Sequence, residues 1–207
     1  MKKFISFILV FSVVFCFAAC GGNETPDENV GESIGTINGG SEENVEKVYY
    51  SKGNFDGTVY ENKWADIKFV LPEGFSNADS ATYMAAENSS TECGMYFIAD
   101  DTMSLIYICY EKLPTFPVYE EEEYLDTIMK QLQEIEGITY ETPDTYSDTT
   151  ISGYKYKKAE CKFNNGNGDF SNTFLVRKLD DYMISISVVS INPESNMILA
   201  NNITSVK

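Results

Sequence analysis

The residues best suited to chemistry in this sequence are its five cysteines, Cys16, Cys20, Cys93, Cys109 and Cys161. A nucleophilic cysteine needs a neighbouring base, and the chain contains no histidine. The same absence excludes Ser-His-Asp triads and histidine-ligated zinc or haem within this chain. We therefore expect the cysteines to carry a lipid, to form a disulfide, or to pack as small apolar residues.

Cys20 ends a segment that has the features of an export signal. The first three residues include two lysines, residues 4–19 are uncharged and apolar, and Phe17-Ala18-Ala19-Cys20 follows. This resembles the lipobox of bacterial lipoproteins, although leucine is usual where this chain has Phe17. The resemblance implies that the Cys20 thiol carries the lipid, with acyl chains such as palmitate. The alternative is an uncleaved anchor or a plain secretory signal, but 16 helical residues reach only about 24 Å of a ~30 Å hydrocarbon core.

Cys93 and Cys109 lie on the two arms of a predicted β-hairpin. The apolar runs Glu92–Ala99 and Ser104–Tyr110 flank a polar turn. A three-residue connection would put Cys93 opposite Cys109 and allow a disulfide, whereas a four-residue connection would place them on opposite faces. The other interpretation is that Cys93, Cys109 and Cys161 are all reduced and buried.

Acidic residues dominate the charge of the chain, which is −17 with 32 acids and 15 bases. Such a surface is a poor match for nucleic acid, because phosphate contacts require Lys and Arg. Paired carboxylates could hydrolyse glycosides or hold a cation, but with this many acids such pairs are inevitable. We expect the run Glu120–Glu123 to stabilise the start of a helix. No cofactor motif is present.

Aromatic residues offer a second candidate for binding. Trp64 is the single tryptophan, and Tyr60 precedes it closely. Together they are predicted to form a binding surface, in the manner of a sugar platform. The alternative is that alternating aromatic residues fill a strand core and make cross-strand pairs.

The elements that would position these residues divide the chain into three parts. Residues 1–19 are the signal, residues 20–46 are a glycine-rich acidic tether, and residues 47–207 are the folded domain. The spacing of Leu125, Ile128, Met129, Leu132 and Ile135 predicts one amphipathic helix. Asn192-Pro193 predicts the start of a terminal helix buried through Met197, Ile198, Ile203 and Val206.

Strands surround the middle helix in the predicted order. They are Thr58–Asn62, Asp66–Leu71, Glu92–Ala99, Ser104–Tyr110, Tyr154–Phe163, Phe170–Lys178 and Tyr182–Ser190, with a short helix over Ala78–Glu87. This order lacks the strict β-α alternation of a Rossmann domain. We therefore predict an α+β fold, with a mostly antiparallel sheet of about six to eight strands and helices packed on its faces.

The domain also resembles a known fold family. Tyr60-Glu61-Asn62, Ile67-Lys68-Phe69 and Leu71-Pro72-Glu73-Gly74-Phe75 look like the opening of Mog1/PsbP-like domains, and the resemblance covers about residues 55–207. It implies a sandwich of that type and, by analogy, an accessory role in which the domain binds other proteins. It carries no catalytic residues.

These observations lead to one expectation and two alternatives. We expect an exported protein, lipid-anchored on the outer face of the cell membrane, that binds another envelope or secreted protein without enzymatic activity. The first alternative is a lipoprotein that binds a small molecule or a cation. The second is a hydrolase that uses carboxylates.

Overall fold

A computed structural model describes residues 48–88, 90–100, 103–116, 118–166 and 168–207. The predicted signal (1–19) and tether (20–46), with Cys16 and Cys20, lie outside these ranges. No helix in the described part of the chain is long and apolar enough to cross a membrane.

Twelve strands are present in the described residues, and every pairing between them is antiparallel. They are β1 (Asn54–Phe55), β2 (Val59–Asn62), β3 (Ile67–Val70), β4 (Phe75–Asn77), β5 (Thr91–Ala99), β6 (Leu105–Lys112), β7 (Thr139–Glu141), β8 (Ser147–Ile151), β9 (Tyr154–Asn164), β10 (Asp169–Leu179), β11 (Tyr182–Ser190) and β12 (Ile203–Thr204). The large sheet has the order β4-β5-β6-β11-β10-β9-β7, with β8 also paired to β9. The small sheet has the order β1-β2-β3-β12.

In the same described ranges, three helices accompany the strands: α1 (Ser80–Ala86), α2 (Glu121–Gln133) and α3 (Pro193–Ala200). The start of α2 is stabilised as expected, because the Glu120 backbone N–H donates to Glu123 Oε2 at 2.8 Å and three acids occupy the first turn. Asn192 caps α3 by accepting a hydrogen bond from the Ser195 backbone N–H at 2.8 Å, with Pro193 in the first turn.

The core has two layers, one on each face of the large sheet. Residues of β6 alternate between them: Ile106, Ile108 and Tyr110 face the small sheet, while Leu105, Tyr107 and Cys109 face α2. Because β6 is covered on both faces, its sequence is a nearly continuous apolar run rather than an alternating one.

The α+β class, the mostly antiparallel pairing and the amphipathic α2 are confirmed. One difference is that the first two predicted strands belong to a separate four-stranded sheet that covers the large one.

The terminal helix also differs from the prediction. Ile198 is exposed, and the buried residues of α3 are Asn196, Leu199 and Ala200. The helix ends before Ile203, which completes the small sheet by pairing with Phe69 in β3. Strand pairing thus replaces helix at the end of the chain.

Candidate binding site

The segment that precedes β1, residues 48–53, is called the N-terminal segment. An aromatic cluster lies where it meets both sheets, and the cluster consists of Tyr50, Trp64, Tyr110 and Tyr182. The rings of Tyr50 and Tyr182 are stacked, with centroids 3.9 Å apart. Trp64 stands edge-on to both, at 5.1 Å from Tyr50 and 5.5 Å from Tyr182. The edge-to-face contacts of Trp64 stabilise the packing beyond the area they bury.

Two carboxylates fix the polar atoms of this cluster. The Tyr50 hydroxyl donates to Glu92 Oε2 at 2.7 Å, and the indole N–H of Trp64 donates to Asp180 Oδ2 at 3.0 Å. Burial, followed by the hydrogen bond to Glu92, raises the pKa of Tyr50 far above its ordinary value. The hydroxyl therefore remains a donor, and Trp64 is joined to the turn between β10 and β11.

Tyr60 lies beneath this cluster rather than on the surface. It is fully buried, its hydroxyl donates to the Lys52 carbonyl at 2.7 Å, and it lies 2.7 Å from the Tyr110 hydroxyl. A side chain without exposed area cannot touch a partner. Tyr60 therefore holds the N-terminal segment from inside, and the exposed area of the cluster belongs to the half-buried Tyr50, Trp64 and Tyr182.

The connection between β6 and α2, residues 113–120, borders the same turn. At its start, the Leu113 backbone N–H donates to the Asp181 carbonyl at 2.8 Å. At its end, the Lys178 ammonium lies 2.7 Å from Glu120 Oε1. Both ends of the 113–120 loop are thus attached to residues that flank the β10–β11 turn, although residue 117 lies outside the described ranges.

Apolar side chains of this loop face solvent. Phe116 is 87% exposed and Val118 is 64% exposed, and Pro114 is exposed as well. Exposed apolar surface on a loop with fixed ends is typical of recognition sites. The sequence interpretation missed this loop. The available signal was the pair of prolines, Pro114 and Pro117, close to Phe116 and Val118 in a stretch that follows neither helical nor strand periodicity.

Acidic residues surround the loop. They are Glu120, Glu121, Glu122, Glu123, Asp180 and Asp181, of which all but the half-buried Glu121 are exposed. Lys178 nearby is already paired with Glu120, and Lys157 lies 2.8 Å from both Glu122 and Asp148. The exposed Lys112 immediately precedes the loop, so the surroundings of its apolar tip are mainly, but not uniformly, acidic.

The register of the β5–β6 hairpin decides the placement of the cysteines. The Ala99 backbone N–H bonds to the Ser104 carbonyl at 2.8 Å, which is the register of a four-residue connection. That connection alone would separate the two cysteines. A β-bulge between Cys93 and Met95 shifts the pairing by one residue, so Cys93 lies directly opposite Cys109.

Both cysteines are buried free thiols in the structure. The disulfide between them stays a prediction. Cys161 is also buried and free, and its Sγ lies 3.3 Å from Met129 Sδ beneath α2.

Two buried carboxylates bear on the hydrolase alternative. The Asp66 carboxylate accepts hydrogen bonds from the Tyr154 hydroxyl and the Val206 backbone N–H, at 2.8 and 2.9 Å. Glu111 accepts a hydrogen bond from the Tyr124 hydroxyl of α2 at 2.7 Å. Both carboxylates are engaged by hydrogen bonds within the fold.

A groove of about 490 Å³ lies beside the start of α3. Its lining includes Lys162, Glu141, Ser171, Ile191 and Pro193. Lys162 and Glu141 are direct cross-strand partners on β9 and β7. This volume is within the range of small-molecule sites, and the lining is mixed in charge. Among the residues that the structure describes, no three His, Cys, Asp or Glu side chains are grouped closely enough to hold a metal ion.

Comparisons with known proteins found structural similarity only. No family model matches the sequence, and no curated protein matches it significantly. A crystal structure from Bacteroides thetaiotaomicron is 9% identical with a TM-score of 0.46, and the match covers 74% of this chain and 50% of that one. This chain thus spans about half the length of that protein.

Two further structures are similar to this chain. LpqN, which is involved in cell envelope biogenesis of Mycobacterium tuberculosis, is 11% identical over 67% of this chain and 83% of its own, with a TM-score of 0.41. The Saccharomyces cerevisiae Ran-binding protein Mog1p is 15% identical over 66% and 78%, with a TM-score of 0.40. These similarities concern the overall path of the chain and assign neither a family nor an activity.

Proposed function

We propose that this protein is a lipid-anchored, extracytoplasmic binding module that acts without catalysis on another envelope or secreted protein. Its binding site is the 113–120 loop together with the adjoining face of Trp64. The lipid on Cys20 and the acidic tether would hold the domain near the outer face of the cell membrane.

One observation carries this proposal, namely the exposure of Phe116 on a loop whose two ends are fixed to the fold. Burial of an exposed phenylalanine by a partner makes the free energy of binding more favourable. Fixed loop ends reduce the conformational entropy that the loop loses on binding. Buried aromatic anchors are the residues that most often dominate protein interfaces.

The surroundings of the loop define the chemistry of the partner. Six acidic residues lie around the apolar tip. A complementary surface would offer an apolar pocket bordered by Lys or Arg, and added salt would weaken the association by screening. An anionic membrane surface would be repelled by the same charge.

The test is recovery of a partner by chemical cross-linking on intact cells that produce the full-length protein. We expect Phe116→Ser to reduce the recovery of a specific partner at least tenfold, because the anchor is lost. The folded state should be unaffected, since the side chain is 87% exposed.

Ile198→Ser is the matched control. Ile198 is 69% exposed on α3, away from the loop, so its replacement should leave recovery unchanged. Equal recovery with wild type and Phe116→Ser would contradict the assignment of the loop. Loss with both variants would indicate a non-specific apolar effect.

The groove beside α3 favours a second candidate, a lipoprotein that binds a small zwitterionic molecule. Lys162 could receive a carboxylate and Glu141 an ammonium group, with apolar parts against Ile191. Calorimetric titration of the purified protein with free amino acids and dipeptides tests this. Binding that is abolished by Lys162→Ala and kept by Lys155→Ala would favour this candidate over a protein partner.

A further inference from the structure

We propose that Cys93 and Cys109 are joined by a disulfide in the exported protein and that this bond links β5 to β6 on the face of the large sheet that α1 and α2 cover. The inference relies on the proposed function only for the compartment, because disulfides persist in oxidising, extracytoplasmic surroundings. It goes further by assigning a covalent modification to two named residues.

The register brings the two thiols together. Cys93 and Cys109 are paired directly, both are 1% exposed, and both belong to the core layer on the α2 face of the large sheet. Residues that are directly opposite in antiparallel strands have Cα atoms about 4.5–5.5 Å apart. This range falls inside the roughly 4.4–6.8 Å that a disulfide requires.

The bulge that creates this pairing is built into the fold. A Cβ atom at Gly94 would collide with the Tyr60 hydroxyl and the Lys52 carbonyl, so only glycine fits there. Tyr60 and Tyr110 meet at the same point through their hydroxyls. The hydrogen-bonded hub that holds the N-terminal segment therefore also fixes Cys93 opposite Cys109.

Cys161 cannot substitute for either partner. It lies on β9, three strands away from β6 in the order β6-β11-β10-β9. At about 4.8 Å per strand this separation is roughly 14 Å, twice the limit for a disulfide. Of the three cysteines in the domain, only Cys93 and Cys109 can be joined without moving a strand.

The reaction is a two-electron oxidation. A disulfide oxidant, such as an oxidised thiol-disulfide oxidoreductase or a small-molecule disulfide, is attacked by one thiolate to form a mixed disulfide. That attack releases the first thiol of the oxidant. The second cysteine thiolate then attacks the mixed disulfide and releases the second thiol, so the Cys93–Cys109 bond forms and the reduced oxidant carries away both electrons and both protons.

This step belongs to folding rather than to the folded state. The hydrogen bond with Cys93, together with burial, raises the pKa of the Cys109 thiol well above its ordinary value, so the packed thiol is a weak nucleophile. The bond would form before α1 and α2 cover this face of β5 and β6, and it would then be shielded from reductants.

The test uses the full-length chain produced with its own signal in an exporting bacterial host. Cells are quenched with acid, the protein is denatured without reductant, and free thiols are blocked with N-ethylmaleimide before digestion and mass spectrometry. We expect Cys161 to be blocked, and we expect the peptides of Cys93 and Cys109 to be linked with the loss of two hydrogens.

Matched variants complete the experiment. Cys161→Ser should keep the linkage between Cys93 and Cys109. Cys93→Ser should leave Cys109 as a free thiol, which N-ethylmaleimide then labels. Protein that is denatured, reduced and then refolded without the disulfide should have a melting temperature roughly 5–10 °C below that of the oxidised protein. Recovery of Cys93 and Cys109 as blocked thiols, or linkage of either one to Cys161, would overturn the proposal. None of these results depends on the 113–120 loop.

Discussion

Asp66 is the residue whose polar contacts connect the most distant parts of the chain. Its carboxylate accepts hydrogen bonds from the Tyr154 and Ser205 hydroxyls, both at 2.8 Å, and from the backbone N–H groups of Val206 and Lys207. Its backbone has φ 55°, which Asn and Asp tolerate better than other side chains. Burial alone would raise the pKa of this carboxyl group, but the four hydrogen bonds outweigh it and hold the pKa below its ordinary value.

We therefore predict that Asp66→Asn lowers the free energy of unfolding by about 1–3 kcal/mol at pH 7, because charged acceptors give the stronger hydrogen bonds. Since the folded pKa is lowered, the contribution of Asp66 is present above about pH 4 and is lost as the pH falls below it. Urea denaturation at pH 7 and pH 3 measures both effects. Asp181→Asn, on the exposed turn, should change stability by less than about 0.5 kcal/mol.

Glu111 shows the opposite behaviour. Burial raises its pKa, and the hydrogen bond from Tyr124 only partly offsets this effect. Because the folded pKa lies above the unfolded value, the folded state holds the proton more tightly. Stability should therefore fall as the pH rises from about 4.3 through the folded pKa.

Glu111→Gln keeps an acceptor for the Tyr124 hydroxyl and removes the buried charge. We predict that this variant is more stable than wild type by about 1 kcal/mol at pH 7, with a flatter dependence on pH between 4 and 7. Denaturation midpoints across that interval provide the measurement. A Gln variant that is less stable at pH 7 would show that the charge is compensated within the fold.

At the scale of elements, the bulge in β5 brings Gly94 against the Tyr60 hydroxyl and the Lys52 carbonyl. Gly94→Ala would push a methyl group into the Tyr60 and Lys52 contacts, and we predict a loss of about 1–3 kcal/mol. Gly168→Ala is the control, because a Cβ there meets only Phe170 at ordinary contact distance, 3.6 Å. Thermal denaturation of both variants shows whether the loss of stability is specific to the bulge or follows from any replacement of glycine by alanine.

Local patterns predicted several elements correctly. The 3.6-residue spacing of Leu125, Ile128, Met129 and Leu132 identified α2, because that pattern reports one buried face. Alternation of apolar residues with serines identified β11, although both of its faces are buried. The pairing of the strands into two sheets was not predictable, since alternation does not reveal which surface covers the buried face. The terminal segment was assigned to helix because apolar residues at 203 and 206 also fit a helical period.

The candidate site was predicted less well than the fold. Tyr60 and Trp64 were grouped because they are aromatic and close in sequence, but only the packing of Tyr110 and Lys52 determines that Tyr60 is internal. The pairing of Cys93 with Cys109 depends on a bulge that a single sequence does not signal. The exposure of Phe116 was not predictable, because it depends on whether other parts of the fold pack over the residue, and local sequence patterns do not show this.

At the scale of the whole molecule, one face of the large sheet is covered by the small sheet and α3 and the other by α1 and α2, so binding is left to loops and edges. The proposed lipid on Cys20 would then decide where the molecule works. We predict that Cys20→Ala transfers the protein from the membrane fraction to the medium or to another soluble extracytoplasmic fraction, as measured by immunoblotting. Retention of the variant in the membrane would favour the uncleaved anchor.

The most direct test of the account is site-specific photo-cross-linking on intact cells. A photoreactive amino acid replaces Phe116 in one variant and Ile198 in the other, and adducts are compared by mass spectrometry. The account predicts one dominant protein adduct from position 116, and added salt should reduce its yield. Position 198 should not give this adduct. The same adducts from both positions, or no protein adduct from position 116, would contradict recognition through the 113–120 loop.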